Sequence, residues 1–111
     1  MLIKKQIAGA SAAGTYYPLQ GSQYEYLDGP AQVSFAIVQD GSTDANLATV
    51  YSGSDVLQEQ AAIDVKATLI AVWPDDFALQ DIAGQGERLS VVVSKVGTTD
   101  SILVVVRIIP L

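Results

Sequence analysis

The sequence predicts an all-β fold, an antiparallel β-sandwich of about eight strands, jelly-roll-like, forming a single domain over residues 1–111. Three observations carry this reading. Turn residues punctuate the chain about every eight to twelve positions, and no helical stretch is long enough for a βαβ crossover. In the last quarter, two β-branched arms at 88–95 and 101–109 flank the polar turn Gly97, Thr98, Thr99 and Asp100, a strong local hairpin signal. Half of the residues are hydrophobic and only 16% are charged, against a usual charged share of about 25%.

Each element follows from local chemistry. Residues 2–8 read as a first strand, and the small residues 9–14 as a flexible arm or loop. Two tyrosine-rich pieces, 15–18 and 24–27, surround a polar turn and suit a hairpin, with Pro18 confining the first arm to an edge. Asp28, Gly29 and Pro30 close that unit. Residues 31–39 alternate, Val33, Phe35 and Ile37 against Gln32, Ser34 and Ala36, which predicts a strand bordering the core on one side. A polar loop, 40–46, leads to a short strand at 47–51 and a turn at 52–55. Residues 56–63 suit either a helical turn or an exposed strand, and 65–73 a strand broken at Pro74. One short helical turn is expected near 75–83, capped by Asp75 or Asp76 and stopped by Gly84 in a left-handed conformation.

The closing strand is apolar on both faces. Ile102, Val104, Val106 and Ile108 line one side, and Leu103, Val105 and Ile109 the other. In a small sandwich one face meets the core, so something else must cover the second. Fully burying a Val, Leu or Ile is worth roughly 1.5–3 kcal/mol, enough for a few surplus positions to drive self-association. Leu103, Val105 and Ile109, with Tyr24 and Tyr26, are the expected interface.

The formal charge of −6 and scattered basic residues argue against nucleic acid as the main partner. Lys4 and Lys5 read as a solvated strand end. The chain has no Cys and no His, which removes ordinary zinc ligation, thiol chemistry and the commonest acid/base group near neutrality. No catalytic residue, cofactor or metal is assigned. No apolar run reaches the roughly 18 residues of a membrane span, and the first residues are too polar for a signal-peptide core.

Three groups invite a functional reading. Asp40, Ser42, Asp44 and Asn46 resemble half a calcium loop, but Ala45 and Tyr51 stand where an EF-hand needs Gly and Glu, so a solvated loop is expected. Asp75, Asp76 and Asp81 could serve as paired carboxylates, although capping accounts for the first two. Tyr16, Tyr17, Tyr24, Tyr26 and Trp73 could stack on sugar rings or bury their rings at a subunit seam. The Gly84-Gln85-Gly86 segment precedes a strand and is no nucleotide signal.

From Ala83 to Val93, a Gly, acidic and Arg turn leads into alternating Val residues, and a polar turn and an apolar closing strand follow. This third of the chain resembles the end of small single jelly-roll structural proteins of icosahedral virions, including the vertex proteins of tailless phages. The resemblance implies a non-enzymatic capsid or vertex component located in the virion. It also implies a trimer or pentamer of this chain that meets other structural proteins. The alternative is a carbohydrate- or ligand-binding β-sandwich using its surface tyrosines.

Overall fold

A computed structural model describes residues 2–7, 14–21, 25–40, 46–65, 71, 76–77, 79–95 and 101–111. The strands are β1 (Leu2–Ile7), β2 (Gly14–Tyr16), β3 (Ala31–Gln39), β4 (Leu47–Ser52), β5 (Asp55–Ala62), the two-residue β6 (Asp64–Val65), β7 (Leu79–Ala83), β8 (Leu89–Lys95) and β9 (Ile102–Pro110). One sheet runs β1-β9-β3, with β7 and β6 sharing the far edge of β3, and the other runs β2-β8-β4-β5. The antiparallel pairs β4·β5, β3·β7, β2·β8 and β1·β9 nest one inside the next. That nesting is a jelly roll, one long hairpin folded over itself into two packed sheets. Among the described residues only β3·β6 is parallel.

The nesting corrects the expected terminal hairpin. β8 and β9 are consecutive strands, but they lie at the centres of opposite sheets and do not pair. Each arm carries a complete apolar face and finds better cover between two strands than against its neighbour in sequence. The turn itself, residues 96–100, lies outside the described residues. The expected tyrosine hairpin is corrected in the same way. β2 pairs with Tyr16 opposite Val93 of β8, and Tyr26 bridges to Arg88, so both pieces join the strand that follows the Gly86 turn.

The core forms where the two inner faces meet. Val33 and Phe35 of β3 and Val104, Val106 and Ile108 of β9 face Ala48 and Val50 of β4 and Leu89, Val91 and Val93 of β8, all buried. Leu19 and Leu27, from the connection between β2 and β3, join the same cluster. The tight β4–β5 turn is two residues, with Gly53 at φ 61°, where a Cβ would be strained.

The outer face of the β9 sheet is also buried over its middle. Phe77 packs with Ala36 and Val105, and Ala71 and Leu103 flank them. β3 is therefore buried on both sides, Ser34, Ala36 and Val38 included, and not on one side as its alternation suggests. Small side chains at 34 and 36 leave room for the covering segment. The second face of β9 is thus closed at Val105 by the chain itself.

No helix occurs among the described residues. The helical turn expected near 75–83 is replaced from Leu79 by β7, whose residues pair with Ala31 to Phe35. The open ladder along β3 outweighs a weak helical pattern, because its N–H and C=O groups need partners. Asp75 and Ala78 lie outside the described residues, and the left-handed glycine is Gly86 (φ 79°), not Gly84. Residues 56–62 belong to the exposed strand β5, and Ile63, just beyond it, is buried. The strand expected at 65–73 falls mostly outside the described residues; its first residue belongs to β6, and Ala71 is in no strand.

If Phe77 is the lid of the second face, Phe77→Ala lowers stability by about 3 kcal/mol in urea unfolding. A loss under about 0.5 kcal/mol, the level of an ordinary surface change, would remove that cover from the account.

Candidate functional site

One end of the sandwich is closed by a buried polar knot. β3 ends at Gln39, whose Nε2 donates to the Ile63 carbonyl (2.9 Å) and whose Oε1 accepts from Asn46 Nδ2 (2.8 Å). The Ile63 amide donates back to the Asn46 carbonyl (3.2 Å). Both side chains are fully buried, so these bonds satisfy groups that would otherwise be costly. Alongside, Asp40 exchanges main-chain contact with Ser101 and takes its amide on Oδ1 (2.7 Å). Asp40 and Asn46 are thereby engaged in holding the loop ends, which counts against the calcium reading. Ser42 and Asp44 lie outside the described residues. Lys95, at the same end by register, is buried as well. None of this burial is visible from sequence, because nothing local distinguishes these polar residues from those of a surface loop.

The opposite end is organised by Glu25. Its Oε1 accepts from the Gly21 amide (2.9 Å) and its Oε2 from Arg88 Nε (2.8 Å), with a second Arg88 nitrogen at 2.7 Å. The Gly21 bond, with help from Arg88, holds the Glu25 carboxyl below its ordinary 4.5, while partial desolvation opposes the shift. The Arg88 guanidinium also lies over the Tyr26 ring, 6.0 Å from its centre. Main-chain bonds Leu27 to Glu87, Gly86 to Leu27 and Leu89 to Glu25 lace the two segments together. Beside them Leu27, Pro30, Ala31, Ile108 and Pro110 line an apolar cleft of about 260 Å³.

The expected tyrosine platform is only partly present. Tyr17 and Tyr26 are exposed, Tyr16 packs against the core, and Tyr24 and Trp73 lie outside the described residues. Asp76 sits in the turn before Phe77, and Asp81 lies on β7 opposite Val33 with its Oδ2 buried and making no hydrogen bond. Among the described residues no three His, Cys, Asp or Glu side chains gather as a metal site would require. No helix there is long and apolar enough to cross a membrane.

The expected interface residues separate. Val105 is buried in the Phe77 cluster, Leu103 is half-buried against it, and Ile109 is half-buried beyond it. By register Ile109 shares its outer face with Ile82, on the far side of Gln32, and with Leu2, diagonally across Arg107. Leu2, Ile82 and Leu111 are 54%, 68% and 73% exposed. Leu2, Ile82 and Leu111 thus gather around Ile109 at one end of this sheet, away from Phe77, while exposed Val65 stands at the other end beside Gln39. Sequence reasoning located Ile109 but missed Ile82, because a helical turn was expected there.

No protein-family model, curated protein or solved structure matches this chain.

Two outcomes test these ends. Gln39→Leu removes the bonds to Asn46 Nδ2 and to the Ile63 carbonyl and lowers stability by about 1–3 kcal/mol in thermal or urea unfolding. Because the Glu25 carboxyl is depressed in the fold, its contribution is complete above the ordinary 4.5 and is lost as pH falls through the lower folded value. Glu25→Gln therefore melts below the parent protein at neutral pH, and the two melting curves converge in acid; a constant gap across pH would show that the carboxylate charge is irrelevant.

Proposed function

We propose that this chain is a non-enzymatic structural protein, a single jelly-roll module of the kind that builds virion capsids or vertices, whose action is self-association. The observation that carries the reading is the apolar end of the β9 sheet, where Leu2, Ile82 and Leu111 stand exposed around half-buried Ile109. Exposed apolar ground of this sort marks contact surfaces. The nested topology supports the reading without deciding it, since capsid proteins, lectins and cupins all use jelly rolls. Val105 is buried under Phe77 and adds no exposed area to this ground.

A carbohydrate- or ligand-binding role is the second reading. It is favoured by the 260 Å³ apolar cleft near exposed Tyr26 and Arg88, because binding sites combine apolar walls with a few polar groups. A glycan array separates the two.

Light scattering coupled to size exclusion, over a dilution series, is expected to give a multiple of the 11.7 kDa chain mass. Ile82→Asp with Ile109→Asp should shift that mass to the monomer while circular dichroism stays unchanged. A parent protein that remains monomeric at every concentration refutes the assembly reading.

A further inference from the structure

We propose that self-association runs head to tail, the basic β1 edge of one copy docking against the acidic β5 edge of the next. This rests on the assembly reading and adds to its apolar end a pair of charged edges through which a second copy of this chain docks. Two of the six basic residues, Lys4 and Lys5, are adjacent on β1 and exposed. β1 is the outer strand of its sheet, paired only with β9 in an unbroken register. Among the described residues its other edge has no strand against it.

β5 is the outer strand of the other sheet and exposes Asp55 and Glu59. It lies beside β7, at the opposite end of the strand order from β1. The molecule therefore has its basic edge on one side and an acidic edge on the other. Opposite charges on different surfaces favour a heterologous contact, which closes into a ring when the rotation allows. Like edges meeting, β1 on β1, would set lysines against lysines in a protein of net charge −6 that has few to spare.

Apolar side chains stand next to both charge pairs. Leu2 begins β1 at 54% exposed, and Val56 follows Asp55 at 51%. Two register shifts in the β4·β5 ladder and the positive φ of Gln60 (44°) make the β5 edge irregular. An irregular edge disfavours a continuous main-chain ladder, so recognition rests on these side chains.

The test uses two double reversals in the full chain, Lys4→Glu/Lys5→Glu and Asp55→Lys/Glu59→Lys, each checked for folding by circular dichroism. Alone, each has two like-charged edges, and the concentration for half-assembly at low salt should rise about tenfold or more. Mixed one to one, they present complementary edges again, and assembly should return. If the parent assembles and either reversal keeps its full mass, or the mixture fails to recover, the edge pairing is overturned while the assembly reading stands. A parent that is always monomeric overturns both. Should a reversal fail to fold, Lys4→Gln/Lys5→Gln takes its place: assembly weaker than the parent's at low salt supports the pairing, and unchanged assembly overturns it.

Discussion

The ladder between β3 and β9 is the constraint on which the rest of the molecule depends. It joins residues 31–39 to 102–110 through nine successive partner pairs. Its inner face supplies Val33, Phe35, Val104, Val106 and Ile108 to the core, and its outer face supplies Ala36 and Val105 to the Phe77 cluster. Both edges of this two-strand unit are then occupied, β1 along β9 and β7 with β6 along β3. The other sheet is built around the same inner surface, with β8 and β4 presenting Leu89, Val91, Val93, Ala48 and Val50. A change that slips this register by one residue would reverse the two faces and displace every strand that pairs with it.

Much of the fold was legible because strand positions depend on local patterns. β1, β3, β4, β8 and β9 lie within a residue or two of where alternation and turn residues place them. Pairing was not legible. β8 and β9 satisfy every local requirement of a hairpin, yet their apolar faces are used separately, and no local signal reports which neighbour a strand will take. β7 shows the converse: residues 79–83 carry a weak helical pattern that the open ladder of β3 overrides. The site was legible only in part. The double-faced apolar character of β9 is real, but its cover at Val105 comes from Phe77, about 28 positions earlier in the chain. Burial of Gln39 and Asn46 depends on the meeting of three chain segments and could not be read from any one of them.

The two ends of the sandwich are stabilised by different physics. At the Gln39 end, neutral amides bond to one another and to main chain in full burial, so the contribution is insensitive to pH and salt. At the Glu25 end, a partly exposed ion pair with Arg88 is strengthened by the Gly21 amide, and such contacts weaken with salt and acid. The exposed side chains of Leu2, Ile82 and Leu111 collect near the second end. Leu27, Ile108 and Pro110 line the cleft there, and Leu111 bonds through its amide to the Pro30 carbonyl.

The nested order of the strands has a consequence for biosynthesis. β8 and β9 leave the ribosome after every other strand, yet each occupies the interior of its sheet, β8 between β2 and β4 and β9 between β1 and β3. While the chain is being made, β1 and β2 have no partner at all, and β3 lacks its longest ladder. β1 and β2 must wait until the final segment threads in beside them, while β4 can pair with β5 and β3 with β7 earlier. Topologies of this kind fold slowly, because distant contacts must form before they are rewarded. The interval between synthesis of β3 and arrival of β9 is therefore the one in which the longest ladder of the sheet stands open.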